Sequence, residues 1–178
     1  MKQQVDFYKL LQVDSSRSIA DMAMDAVGND VNYFREVFRL AATEKPPLCW
    51  RAARVVDLCS EKHPFLMYRF LPDAVDLLVN TSNSSLKRIF TRILIRYIPV
   101  VDEDLLGIVT DYAFSKAENT GEPVAVRAFA LDMLEQVGIR VPELQDEVRL
   151  FMQNLSEQED GNVARKAGKM STGKLKFG

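Results

Sequence analysis

Apolar residues recur with the period of a helix along most of the chain, and the clearest example is residues 122–138. This segment begins with Glu-Pro, which suits a first helical turn, and it ends at Gly138. Between these ends, apolar side chains follow helical spacing at Val126, Phe129, Ala130, Met133, Leu134 and Val137. The pattern predicts one helix with a definite start and end.

The same period predicts helices in most of the remaining chain, and we find no strands. Further helices are expected at residues 1–12, 16–28, 30–43, 65–79, 86–98, 102–118 and 143–155, and in a segment from residue 48 that includes residue 59. Ser15 or Ser16 should cap the helix at residues 16–28, and Asp102 should cap the helix at residues 102–118. A serine of loop 80–85 should cap the helix that starts at residue 86. Pro72 lacks a backbone N–H, so it should kink or break the helix at 65–79.

A short phrase recurs within these predicted helices. Val126-Arg127, with Ala130 three residues later, has counterparts in Trp50-Arg51-Ala52-Ala53 and in Lys87-Arg88-Ile89-Phe90, each followed by apolar pairs. The three arginines return at intervals close to ~40 residues, the length of a two-helix repeat unit. Residues 162–168, Asn-Val-Ala-Arg-Lys-Ala-Gly, form a worn copy of the phrase.

This phrase resembles the second helix of a HEAT repeat, and the resemblance covers roughly residues 29–155. It implies an all-α, armadillo-type fold: a HEAT-like α-α superhelix, or solenoid, of about four antiparallel helix pairs, with second helices on an inner working face. One feature departs from the family. The aspartate usually found six residues before the repeat arginine is replaced by Lys45, Ser82 and Gly121.

The composition is that of an ordinary globular domain, with 47% hydrophobic and 27% charged residues. No run approaches the ~18 apolar residues needed to cross a membrane, and the start of the chain has polar residues where a signal peptide needs an apolar core. We therefore expect a cytoplasmic protein without a membrane partner.

Candidate chemistry is sparse, and we expect no enzyme, cofactor or metal site. Cys49 and Cys59 are predicted to lie ~15 Å apart along one helix, too far for a mutual disulfide. His63 is the single histidine, and no glycine-rich phosphate loop is present. Some HEAT-like proteins are iron-dependent hydroxylases with His-Glu motifs, which the missing histidines exclude. Others are alkylpurine DNA glycosylases with a basic inner face.

The resemblance places a set of basic residues on the inner face, and we predict that they bind a partner: Arg51, Arg54, Lys87, Arg88, Arg92, Arg96 and Arg127. No acidic residue lies between Asp76 and Asp102, and Arg88, Arg92 and Arg96 follow one another at i, i+4 and i+8. This basic stripe is either a docking strip for an acidic peptide or phosphates, or a solvated face paired with neighbouring helices.

Trp50 precedes the first repeat arginine and has two interpretations. It either anchors a partner side chain or stacks on a base, or it closes the core with its N–H bonded. His63, before Pro64, is expected to have a structural role. The phenylalanines and methionines follow helical spacing and are expected in the core.

These observations favour a non-catalytic scaffold that binds another protein, with an acidic segment, on the inner face of a helical solenoid. The alternative is a nucleic-acid-binding HEAT-like module, similar to a DNA glycosylase, that uses the arginine stripe. Residues 161–178 hold five of the 23 Lys and Arg and none of the 25 Asp and Glu, so residues 1–160 are net negative. That balance disfavours nucleic acid.

The charge shift divides the chain into a HEAT-like domain at residues 1–160 and a basic cap or tail at 161–178. Three interpretations of the second part are open: a cap that lies on the fourth helix pair, a disordered solubilising end, or a basic arm for an acidic partner. Val163 and Ala167, one turn apart, favour the cap.

Overall fold

The computed structural model describes residues 5–174, and this part of the chain contains helices and no strand. The ten α-helices are α1 (Phe7–Gln12), α2 (Arg17–Val27), α3 (Val31–Thr43), α4 (Leu48–Lys62), α5 (Leu71–Asn80), α6 (Ser84–Ile95), α7 (Glu103–Glu118), α8 (Val124–Arg140), α9 (Gln145–Gln158) and α10 (Asn162–Lys169). The predicted all-α fold is confirmed. Helices α3 to α10 are the four predicted pairs in chain order, and α1 and α2 precede them.

Short polar side chains start several helices where the sequence predicts them. The Oγ of Ser16 accepts a hydrogen bond from the Ile19 N–H at 3.2 Å, and Asp102 Oδ1 accepts one from the Leu105 N–H at 2.8 Å. Each satisfies a donor that has no partner within its own helix. The prediction for α6 is wrong, because the cap is Asn83 and not a serine.

The helix predicted at 65–79 is broken just before Pro72, in agreement with the sequence prediction, but the part before the break is not α-helical. Two 3₁₀ turns, Pro64–Leu66 and Tyr68–Phe70, replace the first part of the predicted helix, and α5 begins at Leu71. Pro72 therefore lies in the first turn of α5, where its missing N–H costs no intrahelical hydrogen bond.

Gly138 does not end α8, which continues to Arg140. Gly138 is buried inside the helix and does not lie at a turn. Arg140 Nη1 donates to the carbonyl of Ile98, a tertiary contact at the last turn. Val141 and Pro142 then end the helix.

The chain forms two compact units, Met1–Phe90 and Thr91–Gly178, whose boundary falls within α6. In the first unit, α3 packs on α4, and α1 and α2 also contact α4. Four buried aromatic rings of this core contact one another. Phe34 and Phe38 each contact Phe70, at centroid distances of 5.1 and 5.2 Å, and Phe38 contacts Phe90 at 5.9 Å. The core thus joins α3 to α6.

In the second unit, α7 packs on α8, α9 packs on α10, and α8 contacts both α9 and α10. Phe114 and Phe151 meet edge to face with centroids 4.9 Å apart. The apolar residues of α10 are buried, including Val163 and Ala167. Helix α10 therefore covers α9 as a cap would.

Most of the phenylalanines and methionines within residues 5–174 are buried, but two of them are exposed. Phe65 is 49% exposed in the first 3₁₀ turn, and Met22 is 55% exposed on α2. Cys49 and Cys59 are both free and buried. Burial raises the pKa of the Cys59 thiol to about 12, so this side chain stays protonated at neutral pH.

No helix within residues 5–174 is long and apolar enough to span a membrane.

Deleting residues 171–178 is expected to change the melting temperature by no more than about 2 °C, whereas deleting 161–178 should lower it clearly. The longer deletion removes the buried side chains of Val163, Ala164, Ala167 and Met170. Each square ångström of apolar surface so uncovered costs roughly 25 cal/mol. Thermal unfolding of the two truncated proteins checks this. A large loss from the shorter deletion would contradict it.

Candidate functional site

The three repeat arginines have different environments, and Arg127 is buried. Its side chain is 7% exposed; Nε donates to the Ala117 carbonyl at 2.9 Å, and Nη2 donates to both carboxylate oxygens of Glu159 at 2.7 and 2.8 Å. A guanidinium with these partners joins α7, α8 and the residue that follows α9. Arg127 therefore has an internal role and is not accessible to a partner.

Glu159 stands six residues before Arg165, the arginine of the worn phrase at 162–168. This is the position at which the family usually has its aspartate. The acid missing before Arg51, Arg88 and Arg127 is thus present in the last helix pair, and it bonds to the arginine of the pair before. Comparing position 159 with the family pattern was the signal that would have found this pair.

Arg51 also contacts the protein itself. Its Nη1 donates to the carbonyls of Leu11 and Gln12, at 2.9 and 3.0 Å. These carbonyls belong to the last turn of α1, which has no further helical donors for them, and a cation stabilises this end of a helix. Arg51 therefore holds α1 against α4.

The remaining basic residues differ in accessibility. Arg88 and Arg92 are exposed on α6, one turn apart, and Arg54 is half-buried on α4. Lys87 is buried. Arg96 is exposed but lies after the end of α6 at Ile95, so the stripe follows the helix only as far as Arg92. Arg54, Arg88, Arg92 and Arg96 remain predictions for partner binding.

Trp50 is 38% exposed, so it does not close the core as one interpretation held. Its Nε1–H donates to Asn83 Oδ1 at 3.2 Å. The same oxygen accepts from the backbone N–H groups of Ser85 and Leu86, at 2.9 and 3.3 Å, and so caps α6. One asparagine thereby joins the first turn of α4 to the first turn of α6 and fixes the indole.

Trp50, Arg54 and Arg88 form what we call the Trp50 surface. Trp50 and Arg54 are one turn apart on α4, and Arg88 lies on the exposed side of α6. All three side chains reach solvent from second helices whose first turns are joined through Asn83. This surface combines one exposed aromatic side chain with two cations, and it has no acid or base pair suited to catalysis.

A different cluster lies on α8 of the second unit. Lys166 of α10 pairs with Asp132 at 2.6 Å and donates to the Ala128 carbonyl at 2.9 Å. Burial raises the pKa of the neighbouring Glu135, the negative charge of Asp132 adds to the rise, and Lys166 opposes it. Asp132 thus helps to hold α10 against α8.

Replacing Glu135 with glutamine should stabilise the protein at neutral pH. Because the pKa of Glu135 is raised when folded, its favourable contribution is complete below the usual value of 4.5 and is lost as pH rises through the higher folded pKa. The stabilisation by Glu135→Gln should therefore shrink as pH falls toward 4. Urea unfolding at pH 7 and pH 4 measures it, with exposed Glu143→Gln as the control. Equal effects at both pH values would contradict the assignment.

Other candidate chemistry is limited. His63 follows α4, and its ring lies 6.2 Å from that of Phe65. Within residues 5–174 no three His, Cys, Asp or Glu side chains are grouped so that they could hold a metal ion. The residues that sequence reasoning missed are Asn83, which positions Trp50, and Glu159, which neutralises Arg127.

The HEAT repeat domain family matches residues 7–171, almost the entire chain. No curated protein and no solved structure matches this chain. Members of this family are helical repeat scaffolds, commonly protein-binding and typically without catalytic activity. The recurring phrase, the ordered helix pairs and the extent of the match agree, and the chain belongs to the HEAT repeat family.

Proposed function

We propose that this chain is a non-catalytic scaffold that binds another protein through the Trp50 surface. The observation that carries the proposal is Trp50: an indole 38% exposed whose N–H is bonded to Asn83. Tryptophan and arginine are the residues most enriched among the dominant contacts of interfaces. Because the Asn83 bond restrains the ring before binding, less side-chain entropy is lost when a partner covers it.

The partner should present an acidic segment. Arg54 and Arg88 are the two cations of the Trp50 surface, and both belong to the first unit. Arginine offers two parallel hydrogen bonds to a carboxylate, so Asp and Glu side chains around an apolar residue would match the surface. Arg51, Lys87 and Arg127 are left out because their side chains are engaged or buried.

Nucleic acid is the second candidate, and the charge balance argues against it. Phosphate-driven binding needs a surplus of cations over the binding domain, whereas residues 1–160 are net negative. Arg51 and Arg127, two of the basic residues predicted on the inner face, make internal hydrogen bonds instead. A protein partner therefore fits the remaining surface better.

A pull-down from native lysate with an Arg54→Glu/Arg88→Glu variant tests the proposal. The wild type should retain a protein with an acidic segment, and the variant should reduce its recovery at least ~10-fold, since like charges across an interface are strongly unfavourable. Lys9→Glu/Arg17→Glu makes the same charge change at exposed positions of α1 and α2 and should retain the partner.

The retained material decides between the two functions. Synthetic poly-glutamate should compete with the partner, and Trp50→Ala should weaken retention without a charge change. Equal recovery by both charge-reversed variants would overturn the proposal. Recovery of nucleic acid, lost on nuclease treatment, would favour the alternative.

A further inference from the structure

A separate groove of about 800 Å³ lies within the first unit. It is lined by side chains of α3 and α5 and by the first turns of α4 and α6. Its residues are different from those of the Trp50 surface, although Asn83 lies at its edge and bonds to Trp50. A volume of this size is typical of binding sites.

Helices α3 and α5 present opposite charges to the groove, and Glu44, which follows α3, adds an acid to its lining. Helix α3 contributes Arg35 and Arg39, one turn apart, and α5 contributes Asp73 and Asp76, also one turn apart. All four side chains are exposed. The groove lining also includes the apolar side chains of Phe38, Phe70, Leu77 and Leu86.

These charges do not neutralise one another. Among the residues that the structure describes, no ion pair joins Arg35 or Arg39 to Asp73 or Asp76. Arg35 Nη1 donates instead to Asn32 Oδ1 at 2.8 Å on its own helix. Asp76 likewise accepts from Asn80 Nδ2 at 2.8 Å on α5. Each row is therefore held on its own helix and is available to a ligand of the opposite charge.

We propose that this groove binds an amphipathic helix of a partner protein. The groove has three kinds of lining, basic, apolar and acidic, so its ligand needs three matching faces. A helix provides them when an apolar stripe is flanked by a Glu or Asp row on one side and a Lys or Arg row on the other. A strand has two faces and would leave one lining unmatched.

Charge complementarity also sets the direction of the bound helix. Its acidic row must face α3 and its basic row must face α5, so a given sequence fits in one N-to-C direction only. Three turns of such a helix span ~16 Å, comparable with the length of α5, which has 10 residues. The site is independent of the Trp50 surface, and either can exist without the other.

A display library of helical peptides tests this inference on the full-length protein. The apolar stripe is fixed as leucine, and the two flanking rows are randomised among Glu, Lys and Gln. Selection on the wild type should enrich peptides with Glu on one row and Lys on the other. Peptides with the same charge on both rows should bind at least ~10-fold more weakly, whereas exchanging the two rows reverses the direction of the bound helix.

A variant without the acidic lining of α5 supplies the decisive comparison. Asp73→Asn/Asp76→Lys should enrich peptides with Glu on both rows, because both sides of the groove then attract acids. Asp73 is neutralised and not reversed, because it lies in the first turn of α5, where a positive charge is unfavourable. No enrichment on the wild type, or the same peptides enriched on both proteins, would overturn the inference.

Blocking the groove provides a second measurement that does not depend on charge. Ala42 is exposed and lines the groove, so Ala42→Trp should reduce binding of the selected peptide at least ~10-fold. Thr43→Trp, at the next residue and outside the lining, is the matched control and should bind normally. Arg88→Glu should also bind normally, which separates this site from the Trp50 surface. Equal binding by the two tryptophan variants would overturn the inference.

Discussion

Replacing Arg127 with alanine is expected to lower the free energy of unfolding by about 3–5 kcal/mol, because it leaves Glu159 charged and partly buried without its partner. The Glu159 side chain is 19% exposed, and that of Arg127 is 7% exposed. The Ala117 carbonyl loses its donor as well. At this chain length the loss corresponds to a fall in melting temperature of roughly 10 °C.

Chemical denaturation of three variants and their parent measures the coupling. Arg127→Ala, Glu159→Gln and the double variant form a thermodynamic cycle, and the double variant should cost less than the two single changes together. Arg149→Ala, which removes an exposed arginine paired with Asp146 at 3.0 Å, is the control and should cost less than about 1 kcal/mol. A cost for Arg127→Ala no larger than for Arg149→Ala would show that the pair does not hold the second unit together.

Phe34→Ala should destabilise the protein by about 3–5 kcal/mol, because Phe34 is fully buried in the first unit. Its ring lies 5.1 Å from that of Phe70 and 6.5 Å from that of Phe38, so removing it opens a cavity and ends two aromatic contacts. The same substitution at Phe65, which is 49% exposed, should cost less than about 1 kcal/mol. Urea unfolding of both variants provides the comparison, and similar costs would contradict the assigned core.

The destabilising effects of Phe34→Ala and Arg127→Ala differ in physical origin, and each one acts in a different unit. Phe34 stabilises the first unit through apolar burial, whereas Arg127 stabilises the second through a buried ion pair. High salt should leave the cost of Phe34→Ala almost unchanged. It should also affect the Arg127–Glu159 pair only slightly, since buried charges are poorly screened.

Partner binding at the Trp50 surface should not require either stabilising element to change. Trp50 is fixed by a hydrogen bond to Asn83, within the first unit, and its ring is exposed without rearrangement. We therefore expect a preformed site.

The basic end of the chain that was predicted at residues 161–178 contributes internally as far as Lys166, which pairs with Asp132. Residues 175–178 lie outside the described part of the chain, so the interpretation of the final residues as a basic arm remains a prediction.

Local patterns in the sequence determined the order and approximate ends of most helices. Ser16, Asp30 and Asp102 each accept hydrogen bonds from the N–H groups that follow them, and this chemistry depends only on neighbouring residues. The predictions failed where local preference met tertiary packing. Gly138 usually ends a helix, but here it is buried inside α8, and the contact of Arg140 with Ile98 lies beyond it.

Only the tertiary structure decided which repeat arginine faces solvent. Arg51, Arg88 and Arg127 occupy the same place in the recurring phrase, and the period predicts that they return to the same side of successive second helices. Arg51 finds the carbonyl of Leu11, 40 residues away, and Arg127 finds Glu159, 32 residues away, while Arg88 is exposed. An arginine is buried only where a distant residue supplies an acceptor, because an unpaired charge inside a protein is too costly. Periodicity within the sequence places the arginine, but the acceptor depends on how the helices pack.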